Sequence, residues 1–372
     1  MDRRHFLSLS TAAFLGINFL PSCSLLSKRG EYSVVILGDT HFDTEPDTVY
    51  HSNYNEPTEW LNRVQREEFA RNGEMWRERC PRLVKRAAGL AGKDTRMTFQ
   101  MGDLIQGDCG SGQVHEKMLD DVMNNFKGAL GGLPFVTVVG NHDIRGTDAE
   151  ATYHRYMPQR MSQELGKDVT KTTFSFMIDD DAYIVLDFNT PNDSEIEKLL
   201  KETEGARKTF VITHGPLFPY DGSNCRWFFH GSADEKNTQA RRHFRELFAR
   251  RQAICLCGHT HGTELADWEG DGGRITQMTM NSVWSKDELA QYTVNAEGAA
   301  TYGELRKKLA SMPNGGEVQD ETPIFDEYRP GLRRYSHSLS AGSYRMDVSN
   351  KGVTIDFYGG DSQAVSHTFT LR

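Results

Sequence analysis

Five short apolar runs in this sequence end in residues that bind metals or move protons. Ser33–Leu37 runs into Gly38-Asp39-Thr40-His41, and Met97–Met101 into Gly102-Asp103. Phe135–Val139 leads to Gly140-Asn141-His142-Asp143, Phe210–Thr213 to His214-Gly215-Pro216, and Ala253–Cys257 to Gly258-His259-Thr260-His261-Gly262. Singly these motifs say little. A Gly-Asp pair is ordinarily a turn, and a Thr-His-Gly triplet is ordinarily structural. Their joint occurrence, always after an apolar run, is specific. The chain holds 13 histidines, and those five runs account for five of them: His41, His142, His214, His259 and His261.

Nearly continuous apolar runs of this length suit strands buried on both faces, as in α/β sheets. Side chains at the C-terminal ends of such strands point into the crevice where α/β proteins bind ligands. Glycine beside each lets the backbone turn sharply and approach an ion. Between the runs, helices are expected from Thr58 to Ala91, with Pro81 opening a second helix there, and over Val114–Leu130 and Glu235–Arg251. Hairpins are expected at Phe174–Ile178 with Tyr183–Phe188, and at Ser343–Val348 with Gly352–Tyr358. Residues 286–340 are polar, with one convincing helix at Gly303–Ala310, and read as an insertion near the active face. The chain shows no fixed-period repeat and no low-complexity segment.

In its motifs the sequence resembles the calcineurin-like metallophosphoesterase family. That family's pattern is Asp-x-His, Gly-Asp, Gly-Asn-His-Asp/Glu, a further His, and Gly-His-x-His. The resemblance implies a four-layer α/β/β/α sandwich of two mixed β-sheets flanked by helices, with the active site at the strand C-terminal ends. It implies a single domain over residues 31–372, with insertions at about 42–92 and 286–340. It also implies a binuclear centre. One ion would take Asp39, His41, Asp103 and His261; the other would take Asp103, Asn141, His214 and His259, with Asp103 as the bridge. The mixed N/O donor set lacks thiolate and suits Mn, Fe, Zn or Ni. A bridging hydroxide would attack a phosphoester in line. His142 would protonate the leaving oxygen or stabilise charge on the phosphate, with Asp143 orienting its ring. The Gly102-Asp103-Leu104-Ile105 run lacks the Tyr of the purple acid phosphatases, which disfavours that branch. The Asp-x-His form of the first motif resembles the cyclic-nucleotide phosphodiesterase branch. A phosphodiester is therefore the expected substrate. The alternatives are a phosphomonoesterase on small metabolites and a non-catalytic metal-binding relic.

Composition narrows the partners. A net charge of −9, with no Lys/Arg cluster beside the motifs, argues against general nucleic-acid binding and against a nuclease on long chains. Hydrophobic residues make up 37% of the chain, enough for a sizeable core and against a disordered chain. Residues 1–22 have a basic start at Arg3-Arg4, an apolar stretch and a turn before Cys23, the build of a secretory signal. The start resembles a twin-arginine signal, and Leu20-Pro21-Ser22-Cys23 resembles a lipobox. The expected location is periplasmic, or membrane-anchored through lipid on Cys23. The remaining cysteines show no disulfide or CxxC pattern; Cys255 and Cys257 would share one face of a strand. Three weaker groups could line the site: the aromatic run 217–230, with Arg226 and His230, whose Trp227, Phe228 and Phe229 could equally pack in the core; Gln106, Asp108 and His115 at a rim; and a lid over 42–60.

Overall fold

The computed structural model describes residues 30–44, 49–52, 54–220, 227–270, 272–310 and 322–371. The expected signal, Cys23, Cys225 and Arg226 lie outside the described residues. The first strands are β1 (Tyr32–Leu37), β2 (Thr95–Gln100), β3 (Phe135–Thr137), β4 (Phe174–Ile178), β5 (Asp181–Leu186), β6 (Thr209–Thr213) and β7 (Ile254–Cys257). They are followed by β8 (Thr263–Gly270), β9 (Gly273–Thr279), β10 (Ala296–Glu297), β11 (Leu332–Ser338), β12 (Gly342–Val348), β13 (Val353–Gly359) and β14 (His367–Thr370). The longer helices are α1 (Glu59–Glu78), α2 (Cys80–Ala88), α3 (Gly112–Ala129), α4 (Ala149–Leu165), α5 (Asp193–Glu202) and α6 (Glu235–Arg250).

The strands form two mixed sheets. One is six-stranded, in the order β14-β13-β12-β1-β2-β3; the other is eight-stranded, in the order β10-β11-β8-β9-β7-β6-β5-β4. β1, β2 and β3 are parallel, as are β5, β6, β7 and β9. Side-chain alternation joins the layers. Tyr183, Val185, Phe210, Ile212, Ile254 and Leu256 share one core with Ile36, Phe99 and Met346 of the smaller sheet. Their neighbours Ile184, Val211, Cys255 and Cys257 turn to a second core with Leu199 of α5 and Phe244 and Phe248 of α6. Cys255 and Cys257 thus share a face as expected, and both are buried free thiols. Helix α2 packs on β1 and β12, α4 on β3, and α6 on β8 and β9. Two mixed sheets flanked by helices are the expected architecture.

Local chemistry sets the helix ends. Ser111 accepts the Val114 amide at 3.3 Å to cap α3, and Asp234 accepts the Asn237 amide at 2.9 Å to cap α6. Pro81 occupies the first turn of α2, where its missing N–H costs nothing. The sequence pattern did not show α4, which carries Pro158 in its interior; that residue breaks the apolar periodicity. The segment 286–340, expected as an insertion, contributes β11, which pairs with β8 along the eight-stranded sheet. Its Arg333, Arg334 and His337 hide a strand that only pairing defines. Among the described residues no helix is long and apolar enough to cross a membrane.

Candidate metal centre

The site lies where β1, β2, β3, β6 and β7 end. The loops after these strands interlock through their backbones. The Thr40 and His41 amides both donate to the Asp103 carbonyl, at 3.1 and 2.9 Å, and the Gly258 amide donates to the His214 carbonyl at 3.1 Å. The His259 amide donates to Asp39 Oδ1 at 2.9 Å, and the His142 amide to Asp103 Oδ1 at 2.8 Å. Two glycines make the close approach possible. Gly102 has φ +85°, and a Cβ there would lie 2.6 Å from His214 Nδ1. A Cβ on Gly140 would lie 2.1 Å from the Asp103 nitrogen. Four of the expected ligands accept left-handed backbone: His41 (φ +43°), Asp103 (+49°), His259 (+70°) and His261 (+47°). Such strain persists only where surrounding structure over-determines it, and it clusters at functional sites.

All seven expected ligands converge. His41 Nε2 lies 3.1 Å from His261 Nε2, and His261 Nε2 lies 3.2 Å from Asp39 Oδ2. His214 Nε2 lies 3.2 Å from Asp103 Oδ2 and 3.3 Å from Asn141 Oδ1, and His259 Nδ1 lies 3.1 Å from His214 Nε2. Three overlapping groups could hold an ion: Asp39, His41 and His261; Asp103, His214 and His259; and His41, Asp103 and His142. Asp103 belongs to two of them, as does His41.

The residues fit cations. His214 Nδ1 lies 2.7 Å from the Met101 carbonyl, which can only accept, so the proton sits on Nδ1. The lone pair on Nε2 then faces two more acceptors, Asp103 Oδ2 and Asn141 Oδ1. Acceptors do not converge this way unless a positive species lies among them. In the bare protein a proton serves: burial opposes the charge on His214, but Asp103 and Asp39 outweigh it and hold the imidazole at about 9. Burial and the neighbouring imidazole of His142 push the His41 pKa far below its usual value. Burial and His214 do the same to His259. His41 Nδ1 is buried without a hydrogen bond. Burial opposes ionisation of Asp103, but His214, His142 and His41 prevail and keep its carboxyl well below the usual range. Asp39 and Asp103 are each 1% exposed, whereas the His261 side chain is 47% exposed and marks the open side.

The two expected catalytic residues part company. His142 is buried, and its Nδ1 lies 2.9 Å from the Gln106 carbonyl, which fixes the ring and leaves Nε2 for exchange. Burial lowers its pKa, so the ring is neutral near pH 7 and must take up a proton before giving one. Asp143 does not orient that ring. Its carboxylate accepts the Gly140 amide at 2.8 Å and the Ile105 amide at 3.1 Å, so it ties the second loop to the third. Burial and Asp103 push its carboxyl up to about 7. The sequence pattern pointed to a neighbouring acid, whereas the positioning group is a main-chain carbonyl, which no side-chain pattern reveals.

The weaker candidates also sort themselves. Gln106, Asp108 and His115 are buried beneath the loops rather than at a rim. In the expected lid, Asp43, Tyr50 and His51 are buried, and the His51 ring stacks on Phe69 at 3.7 Å, whereas Trp60 is exposed. Phe228 and Phe229 enter the core, and His230 is held by Asn237 and Asp193, while Trp227 stays exposed beside His259. Helix α1 was expected only as part of an insertion, yet one of its faces braces three loops. The Trp76 indole donates to the Thr40 carbonyl at 2.6 Å, Asn72 donates to Gln106 Oε1, and Glu68 pairs with Arg145 at 2.9 Å. Their spacing of four residues puts them on one helix face.

Residues 32–263 match the calcineurin-like phosphoesterase family, and the chain belongs to it. No curated protein matches the chain. Among solved structures it is similar to PhoD, with TM-score 0.48 and 12% identity over 92% of this chain and 69% of that one. It is also similar to GAP50, described as the anchor in the inner membrane complex of Plasmodium, with TM-score 0.44 and 14% identity over 92% and 89% of the two chains. The family is typically dinuclear, and the His/Asp clusters here are able to bind metal.

Proposed function

We propose that the protein is an exported metal-dependent phosphohydrolase that prefers phosphodiesters. The observation that carries the reading is the convergence of imidazole, carboxylate and amide donors around Asp103, with His214 Nε2 3.2 Å from its Oδ2. Asp39, His41, Asp103 and His261 would hold one divalent cation, and Asp103, Asn141, His214 and His259 the other. When bound, such a pair supplies Lewis acidity to the phosphate and acidifies water near neutral pH. The chain's own residues do the rest. The Met101 carbonyl holds the His214 ring, and the Gln106 carbonyl holds His142 so that Nε2 can pass a proton to the leaving oxygen. General acid help of this kind is worth roughly 10²–10⁴ in rate. The Asp39-Thr40-His41 form of the first motif supports a diester substrate, and the Arg3-Arg4 start with Cys23 supports export. The test is metal analysis of the purified protein with parallel turnover of bis(p-nitrophenyl) phosphate and p-nitrophenyl phosphate. About two metals per chain and faster diester turnover are expected. Well under two metals would overturn the binuclear reading, and faster monoester turnover would overturn the diester preference.

A further inference from the structure

The surroundings of His259 are uneven. Three aromatic rings lie about 6 Å from its imidazole: Phe188 at 5.8 Å, Tyr220 at 5.7 Å and Trp227 at 5.9 Å. Phe188 and Tyr220 are 7% and 8% exposed and complete the packing around the ring, whereas Trp227 is 44% exposed. Its position is set from the following residues. Phe228 and Phe229 enter the second core, the Phe229 amide donates to the Pro216 carbonyl at 2.8 Å, and the Gly231 amide to the Phe228 carbonyl at 2.9 Å. With both phenylalanines turned inward, the indole is left at the mouth. Other tryptophans are covered: Arg82 lies over Trp284 at 4.6 Å and Arg245 over Trp268 at 5.0 Å. Among the described residues no Lys or Arg covers Trp227, and no hydrogen bond ties it down. Trp60, also exposed, stands at the start of α1 and not beside any donor of the centre.

We propose that Trp227 is a stacking platform that selects phosphoesters bearing an aromatic or heteroaromatic group. The proposal rests on the hydrolase reading above and adds the class of substrate. His259 Nδ1 is a candidate donor of the centre, and the Trp227 ring lies 5.9 Å from the His259 ring at 29°, so the half-exposed indole borders the space beside that donor. A planar group on a phosphoester bound there can lie against the exposed part of Trp227, whereas a short alkyl group cannot cover it. Stacking of this kind is sequence-tolerant, because every aromatic base has a π-face.

The test compares the wild type with Trp227→Ala and Trp227→Phe. Two readouts are used: calorimetric binding of p-nitrophenyl phosphonate against methyl phosphonate to the metal-loaded protein, and the kcat/KM ratio for an aryl against an alkyl phosphoester. The expected result is a fall of about tenfold in both aryl-to-alkyl ratios in Trp227→Ala, through KM rather than kcat, and recovery in Trp227→Phe. Equal losses for aryl and alkyl probes, or an unchanged ratio in Trp227→Ala, would overturn the proposal. Aryl-selective binding without turnover of either ester would leave the platform standing and sink the hydrolase reading instead.

Discussion

Two buried carboxylates stand at opposite ends of the same sandwich. Asp181 opens β5 at the end where β1 begins, and Asp103 follows β2 at the end where β1 stops. Both are essentially inaccessible, at 0% and 1% exposure. Asp181 is fully answered within the chain. Arg207 Nε donates to its Oδ1 at 2.8 Å, the Tyr32 hydroxyl to Oδ2 at 2.8 Å, and the same guanidinium reaches the Gly30 carbonyl at 2.8 Å. Tyr32 also meets Tyr183 across the sheets at 2.7 Å, so the cluster pins one sheet to the other. Asp103 has no Arg or Lys partner among the described residues; its ion-pair neighbours are His41 and His214. The orphaned buried atoms at that end include His41 Nδ1, His115 Nδ1 and Gln106 Nε2, and none belongs to the Asp181 cluster. A buried charge is tolerated when it is paired and hydrogen-bonded. The structural end supplies that pairing through a guanidinium; the functional end offers only imidazoles, in clusters able to bind metal.

This contrast can be broken in three ways. The largest effect is expected at Asp103. Asp103→Asn should lower phosphoester turnover by about a thousandfold or more and abolish the rise in melting temperature on adding Mn²⁺. A retained metal-dependent rise would show that Asp103 is not the shared ligand. Asp181→Asn should do the opposite. Removing one partner of a buried pair costs about 3–5 kcal/mol, read by urea denaturation, while the folded variant keeps both turnover and the metal-dependent rise.

The third test sharpens the comparison through pH. His115 is buried beneath the site, with Nε2 2.8 Å from the Asp143 carbonyl, so that nitrogen carries the proton. Protonating Nδ1 would place a charge without a partner, and burial lowers the pKa to about 4. The unfolded chain takes up this proton near pH 6.5, whereas the folded chain resists it. Stability from this residue is therefore present above about pH 6.5 and is lost as pH falls towards 4. The loss is on the order of 3 kcal/mol. His115→Gln, which keeps a donor for the carbonyl and removes the titration, should flatten the slope of stability against pH in that window. An unchanged slope would assign the acid sensitivity to other groups.

How much was legible varies with how local each cause is. Apolar runs ending in Gly-Asp, Gly-Asn-His, His-Gly and Gly-His-x-His marked the ends of β1, β2, β3, β6 and β7, because strand burial and metal chemistry both leave residue types behind. Pro81 and the polar turns marked α2 and the two hairpins for the same reason. β11 was not legible, since its arginines become a strand only through pairing with β8. Nor was the role of α1, whose Glu68, Asn72 and Trp76 read as an ordinary helix face until the loops they touch are in place.

The sequence alone determined which side chains could ligate, that they follow strands, and that their donors are nitrogen and oxygen. Only the tertiary structure decided how each is held. The Gln106 carbonyl, not Asp143, sets His142, and the Met101 carbonyl sets His214. It also decided that Trp227 faces out while Phe228 and Phe229 face in. The physical reason is that a ligand must be a particular side chain, whereas the group that orients it can be any carbonyl the fold brings within about 3 Å.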